Sequence, residues 1–150
     1  MSHHFLLIIH LLSATVWIGG HLILLITVVP KAVKSQNPSS ILDFEHKFER
    51  LGMSALALLV LSGYFLAQRY GVQPSDWFAF ETPVERVVST KLTLLLVTVG
   101  LALSAQLRVI PRLKAGSTRL TPIITHISLV TIIGVVMLII GSCIRFGGIR

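Results

Sequence analysis

The sequence predicts an all-α membrane protein, a four-transmembrane-helix antiparallel bundle with both termini on the outer, periplasmic side. Three observations carry this. Four apolar runs, Phe5 to Val29, Leu51 to Ala67, Val87 to Leu107 and Leu120 to Ile144, each approach the roughly 20 residues a helix needs to cross about 30 Å of hydrocarbon. The composition is 53% hydrophobic with a mean hydropathy of +0.83, more than a soluble domain of 150 residues carries. The cations sit between the runs: Lys31, Lys34, Lys47, Arg50, Arg108, Arg112, Lys114 and Arg119 on one side, against Arg69, Arg86, Arg145 and Arg150 on the other. By the positive-inside rule the first set faces the cytoplasm. The formal charge of +7 is therefore a matter of orientation in a cytoplasmic (inner) membrane of a bacterium, with no nucleic-acid partner implied.

The helices are expected at about 5–30, 41–69, 83–109 and 121–145, in a single domain. The first run has no Lys or Arg before it, is too long for the apolar core of a signal peptide and lacks a small-residue cleavage site after it, so it stays as a helix. Pro30 reads as its end. The second helix starts ahead of its apolar run, because Ser40-Ile41-Leu42-Asp43 is a cap and Phe44, Phe48 and Leu51 continue one face. The loop after it holds Trp77, Phe78 and Phe80, aromatics that anchor at headgroup level. Thr82-Pro83-Val84-Glu85 opens the third helix with a capping box and Pro at the first helical position, and Thr121-Pro122 opens the fourth with half of that signal. The sequence carries no internal repeat, low-complexity tract or nucleotide-binding glycine pattern. Cys143 is the only cysteine, which leaves no disulfide framework and no thiolate cluster; it reads as a small apolar filler.

Function is read from polar residues inside the oil. His10 and His21 are eleven residues apart, about 20° past three full turns, so they share a face of the first helix some 16 Å apart along its axis. The fourth helix repeats the spacing with His126 and Met137. Residues whose numbers share a sum stay level in an antiparallel pair, which would set His21 opposite His126 in the inner half and His10 opposite Met137 in the outer half. Neutral imidazole and thioether are haem ligands, and an apolar four-helix interior accepts a porphyrin, so one or two haem b groups are expected. His10, His21 and His126 are the candidate metal ligands. Met137 is either a packing side chain or a thioether ligand. His46, on a surface extension of the second helix, rivals His21 as the partner of His126. Gly19 and Gly20 flank His21 and could make room for a flat cofactor.

Lys91 lies two turns into the third helix with no acidic partner in the membrane. It either snorkels to the outer headgroups or meets an anion, such as a haem propionate or a quinone oxygen. None of the six acidic residues falls inside an apolar run, which argues against a proton relay or a hard-cation site.

His10-Leu11-Leu12 with Trp17-Ile18-Gly19-Gly20, Phe48-Glu49-Arg50-Leu51 running to Ser62-Gly63, Lys91-Leu92, and Arg108 to Pro111 together resemble the copper resistance protein D superfamily. That superfamily includes the membrane domain associated with copper resistance and is similar to the haem-binding protoporphyrinogen oxidase of many bacteria. The resemblance implies four membrane helices and, for the oxidase branch, haem b with functional counterparts at His10 and Lys91. His21 and His126 depart from the oxidase pattern, and the Met- and His-rich clusters of a copper conduit are missing. The expected function is a b-type haem protein passing electrons between a quinone pool or redox partner and an acceptor, a possible oxidoreductase. The alternatives are a protoporphyrinogen oxidase-like enzyme, a copper transport protein using the histidines as a ladder, or a small anchor subunit of a larger membrane complex or homo-oligomer.

Overall fold

The computed structural model describes residues 2–149, and among these residues every regular element is helical. Four helices are long and apolar enough to cross a membrane: α1 (His3–Ser35), α2 (Ser39–Arg69), α3 (Pro83–Lys114) and α4 (Thr121–Phe146). The shortest has 26 residues, roughly 39 Å at 1.5 Å per residue.

The caps explain where the helices begin. Ser2 Oγ accepts from the Phe5 N–H at 3.3 Å at the head of α1. Before α2, Asn37 Oδ1 accepts from the Ser39 N–H at 2.9 Å, so this helix starts just ahead of the Ser40 to Asp43 cap read from sequence. At α3 the expected capping box is complete: Thr82 Oγ1 accepts from the Glu85 N–H, and Glu85 Oε2 accepts from the Thr82 N–H, both at 3.2 Å. Thr121 and Pro122 begin α4 without a side-chain cap.

The ends of α1 and α3 differ from expectation. Both helices run past their prolines, to Ser35 and Lys114, because each passes through a π turn just before the proline. The turns are Leu24–Val28 and Ala105–Val109, in which the N–H of Val29 bonds to Leu24 O and that of Ile110 to Ala105 O, five residues back. Proline has no N–H and its ring crowds the carbonyl four residues earlier; a widened turn accommodates that mismatch without ending the helix. Val28-Val29-Pro30-Lys31 and Val109-Ile110-Pro111-Arg112 thus do the same job on two helices, a likeness too short to register as a repeat in the sequence.

Helix α1 packs along α2 and touches α4, and α4 packs along α3; α2 and α3 make almost no direct contact. Along α1 and α2, His3 meets Tyr70, His10 meets Ser62, and Gly20 lies under the Phe48 ring. Along α3 and α4, Lys91 meets Gly141 and Ser104 meets His126. The main apolar core lies toward the two basic loops, where all four helices contribute: Leu24, Val29 and Ala32, Ile41, Ile110 and Leu113, and Leu120, Ile123 and Ile127. Large apolar side chains such as Leu12, Ile26, Leu61, Leu107 and Ile139 point outward, as a lipid-facing surface requires. In the loop after α2, Trp77 packs edge-on against Tyr64 at 5.9 Å, while Phe78 and Phe80 are exposed.

Candidate metal site between the helices

The gap between α2 and α3 opens into a cavity of about 150 Å³, walled by all four helices. Its wall is mostly aliphatic and aromatic. The polar groups on it are Trp17, His21, Glu45, Glu49, Gln106 and His126, and Met53 brings a thioether. Among the described residues no lysine or arginine lines it. Gln106 Nε2 donates to Glu45 Oε1 across the gap at 2.8 Å.

The two histidines are held alike. His21 Nδ1 lies 2.8 Å from Trp17 O, and His126 Nδ1 lies 2.7 Å from Pro122 O. A carbonyl can only accept, so in each neutral imidazole Nδ1 carries the hydrogen and Nε2 carries the lone pair. This is the arrangement in which an imidazole serves as a metal ligand, its tautomer fixed by a backbone acceptor. Neighbouring rings hold His21 in place: Trp17 at 4.5 Å and Phe48, edge-on, at 6.3 Å. His126 Nε2 lies 3.2 Å from Ser104 Oγ on α3.

Helices α1 and α4 meet where Gly134 leaves space for Ile18 and where Thr131 Oγ1 approaches His21 O at 3.5 Å. His21 therefore sits beside Thr131, with His126 more than one turn further along α4.

The other residues singled out from sequence lie elsewhere. His10 is half-buried on the α1–α2 seam, its Nδ1 3.1 Å from Leu59 O and 3.0 Å from Ser62 Oγ, which fixes the same tautomer as in His21 and His126. Lys91 is half-buried; its Nζ rests where a side chain at Gly141 would be, within electrostatic reach of His10. Met137 is half-buried on α4, outside the cavity lining. His46 is exposed on α2 and does not line the cavity, although Glu45 and Phe48 do. The structure thus brings His21 and His126 to one space and leaves His10 and Lys91 in another. Among the described residues no group of three or more His, Cys, Asp or Glu side chains could hold a metal ion.

Several contributors were not singled out. Phe48 occupies the room that Gly20 and Gly52 leave, so a ring from α2 fills the place a flat cofactor was expected to take. Ser104, Glu45 and Gln106 reach the site from helices whose faces were read only for packing; the paired polar positions on α2 and α3 were the available signal. 

Neither a curated protein nor a solved structure matches the chain. The model of the family described as copper resistance protein D matches residues 43–144, about two-thirds of the chain, from the first turns of α2 to the last of α4. His126, Ser104, Glu45 and Lys91 fall inside that span and His10 and His21 outside it. By this match the chain belongs to the copper resistance protein D family.

Proposed function

We propose that this chain is a copper-handling protein of the bacterial cytoplasmic membrane that takes copper as its cargo, in the cuprous form, along a cavity to which His21 and His126 contribute at different depths. One observation carries the reading: two imidazoles, each with Nδ1–H fixed on its own helix, line one cavity whose wall adds carboxylates and a thioether and no cation. Such a wall favours a positively charged guest. Imidazole and thioether suit Cu(I), which accepts as few as two ligands, where a hard cation would ask for more. The family's description, which speaks of copper, agrees with this.

The bundle in this reading is antiparallel, with both ends of the chain on the outer side. The pairings of His3 with Tyr70, His10 with Ser62 and Gly20 with Phe48 support the first part, and the excess of cations in the two loops between α1 and α2 and between α3 and α4 supports the second. The histidine pair is then staggered: His126 lies about five residues, roughly 7 Å, nearer the basic loops than Thr131, the neighbour of His21. His10, with the same tautomer, is a way station in the outer half.

A second reading, haem b held by histidines of the same cavity in a chain that passes electrons from a quinone pool to an acceptor, is favoured by the mostly apolar wall. The two Nε2 atoms fit axial ligation. The lining does not fit the propionates, which call for cations where Glu45 and Glu49 stand.

Competition between the purified protein in lipid nanodiscs and a Cu(I) chelator tests the proposal. One Cu(I) per chain is expected, with His21→Ala and His126→Ala each weakening it by at least about tenfold, since even the supporting partners of a ligand are worth that much. Wild-type protein that takes no copper, or variants that keep wild-type affinity, would refute it. Stoichiometric iron with a reduced-minus-oxidised haem b spectrum would establish the second reading instead.

A further inference from the structure

The two basic loops face each other across a second hollow, of about 500 Å³. Asn37 and Ser39 line one side and Ser117 and Thr118 the other, over a floor of Leu42 and Leu113. The positive-inside rule accounts for cations in these loops, but it asks for no hollow between them and no particular wall. The two sides are built alike. The Asn37 N–H bonds to Ala32 O and the Ser117 N–H to Arg112 O, each at 3.1 Å, so both loops leave their helices through the same hydrogen-bonded turn. Asn37 Oδ1 then accepts from the Ser39 N–H at 2.9 Å, and Ser117 Oγ from the Arg119 N–H at 3.4 Å. These bonds engage an oxygen of each side chain and leave the hydrogens of the Asn37 amide and the Ser117 hydroxyl to donate elsewhere. The hydroxyls of Ser39 and Thr118 have no partner among the described residues.

Among the described residues no carboxylate lines the hollow; Asp43, one residue past Leu42, is outside it. Cations flank it along the chain: Lys34 ahead of the first side, Arg112 and Lys114 on either side of Leu113, and Arg119 after Thr118. All four are exposed, and none has a side-chain hydrogen bond or ion pair among the described residues. Four donors, no carboxylate and a border of unpaired cations suit an anion with several acceptor oxygens, which is what a phosphate group is. The floor points to the source of that phosphate. Leu42 and Leu113 also line the larger cavity, so the hollow lies at the loop end of the apolar gap where α2 and α3 make almost no direct contact. A free phosphate has no use for such a floor, whereas a phospholipid brings glycerol and methylenes directly below its phosphate.

We propose that the hollow is the seat of one anionic phospholipid from the leaflet on the side of the basic loops. Its phosphate takes the donors of Asn37, Ser39, Ser117 and Thr118, its glycerol rests on Leu42 and Leu113, and its acyl chains follow the gap between α2 and α3. Basic pockets between membrane helices recognise headgroups in this way, by charge at the rim and hydrogen bonds within. The site stands independently of the copper reading, because it shares no histidine with it.

Binding of a fluorescently labelled short-chain phosphatidylglycerol to the full chain in zwitterionic detergent, followed by anisotropy, tests the proposal. One site per chain is expected, with unlabelled phosphatidylglycerol displacing the probe at least about fivefold better than phosphatidylcholine does. Lys34→Gln and Arg119→Gln should each weaken it by about fivefold, and Arg145→Gln, at the other end of the bundle, should leave it unchanged. Thr118→Phe keeps every charge and fills the hollow, so it should weaken the site by at least about tenfold, which a merely positive surface would not show. Equal competition by the two lipids overturns the proposal, as does wild-type affinity in Thr118→Phe. Displacement of the probe by millimolar inorganic phosphate would overturn the lipid as occupant and leave a site for free phosphate instead.

Discussion

Gly19 and Gly20 are neighbours in α1, and only one of them has room for a methyl group. A Cβ at Gly19 meets nothing within 4 Å, whereas a Cβ at Gly20 falls on the ring of Phe48. That ring is not free to step aside: it stacks on Phe44 at 5.5 Å, stands edge-on to His21 at 6.3 Å and lies against Gly52. Replacing either glycine by alanine gains about 0.5–1 kcal/mol of helix preference, which cancels when the two variants are compared. What remains is the overpacking at Gly20, about 1–3 kcal/mol. Gly19→Ala is therefore expected to be neutral or stabilising, and Gly20→Ala to be less stable than it by that amount. Trimming the ring should relieve the clash, so Gly20→Ala with Phe48→Leu should lose less than the two single changes added together, a coupling of about 1 kcal/mol. Reversible unfolding in mixed micelles, followed by the fluorescence of the two tryptophans, measures all four proteins. Equal stability of the two alanine variants, or strict additivity of the double variant, would refute the α1–α2 packing described here.

Two further outcomes follow from the caps and the cavity wall. Thr82→Ala should cost about 1 kcal/mol and raise hydrogen exchange at the first amides of α3, with Thr82→Ser restoring both, because the capping box is complete on each side. His46→Ala should leave Cu(I) affinity within about twofold of wild type, as an exposed side chain outside the cavity; a loss of tenfold or more in the chelator competition would move the inner site to a pair across α2 and α4.

The helices were legible because crossing a bilayer demands long apolar runs, and the start of α3 was legible because Thr82 and Glu85 are a local signal satisfied within one turn. Pro30 and Pro111 misled in the same way: proline ends most helices, and the π turn that spares these two has no pattern of its own in sequence. His21 and His126 stood out as polar residues in oil. Their shared cavity did not, since it depends on α2 and α3 failing to close, a property of neither helix that carries the histidines. The level pairing from residue numbers assumed a contact point that only packing decides, and Ile18 seated at Gly134 sets it differently. Lys91 read as lacking an acidic partner, and among the described residues none meets it; its Nζ takes the space that Gly141 leaves.

The same few features account for the cavity and for its limits. Gly20, Gly52, Ala102 and Ala105 put small groups on its wall, and the bond from Gln106 to Glu45 holds α2 and α3 at a distance that side chains do not fill. Leu24 in one π turn and Ala105 and Gln106 in the other also line it, so both irregular turns border the hollow. Toward the basic loops the wall is a buried apolar cluster: Ile41, Ile110, Leu113 and Ile123 line the cavity and pack with Val29 and Ala32, and Ala32 has no exposed surface at all. A copper ion handled as proposed would meet, on the side of the basic loops, an apolar layer that offers it no ligand. Leaving on that side means parting this layer, and two of its four walls join the rest of the bundle through turns whose regular hydrogen-bond ladder is already broken.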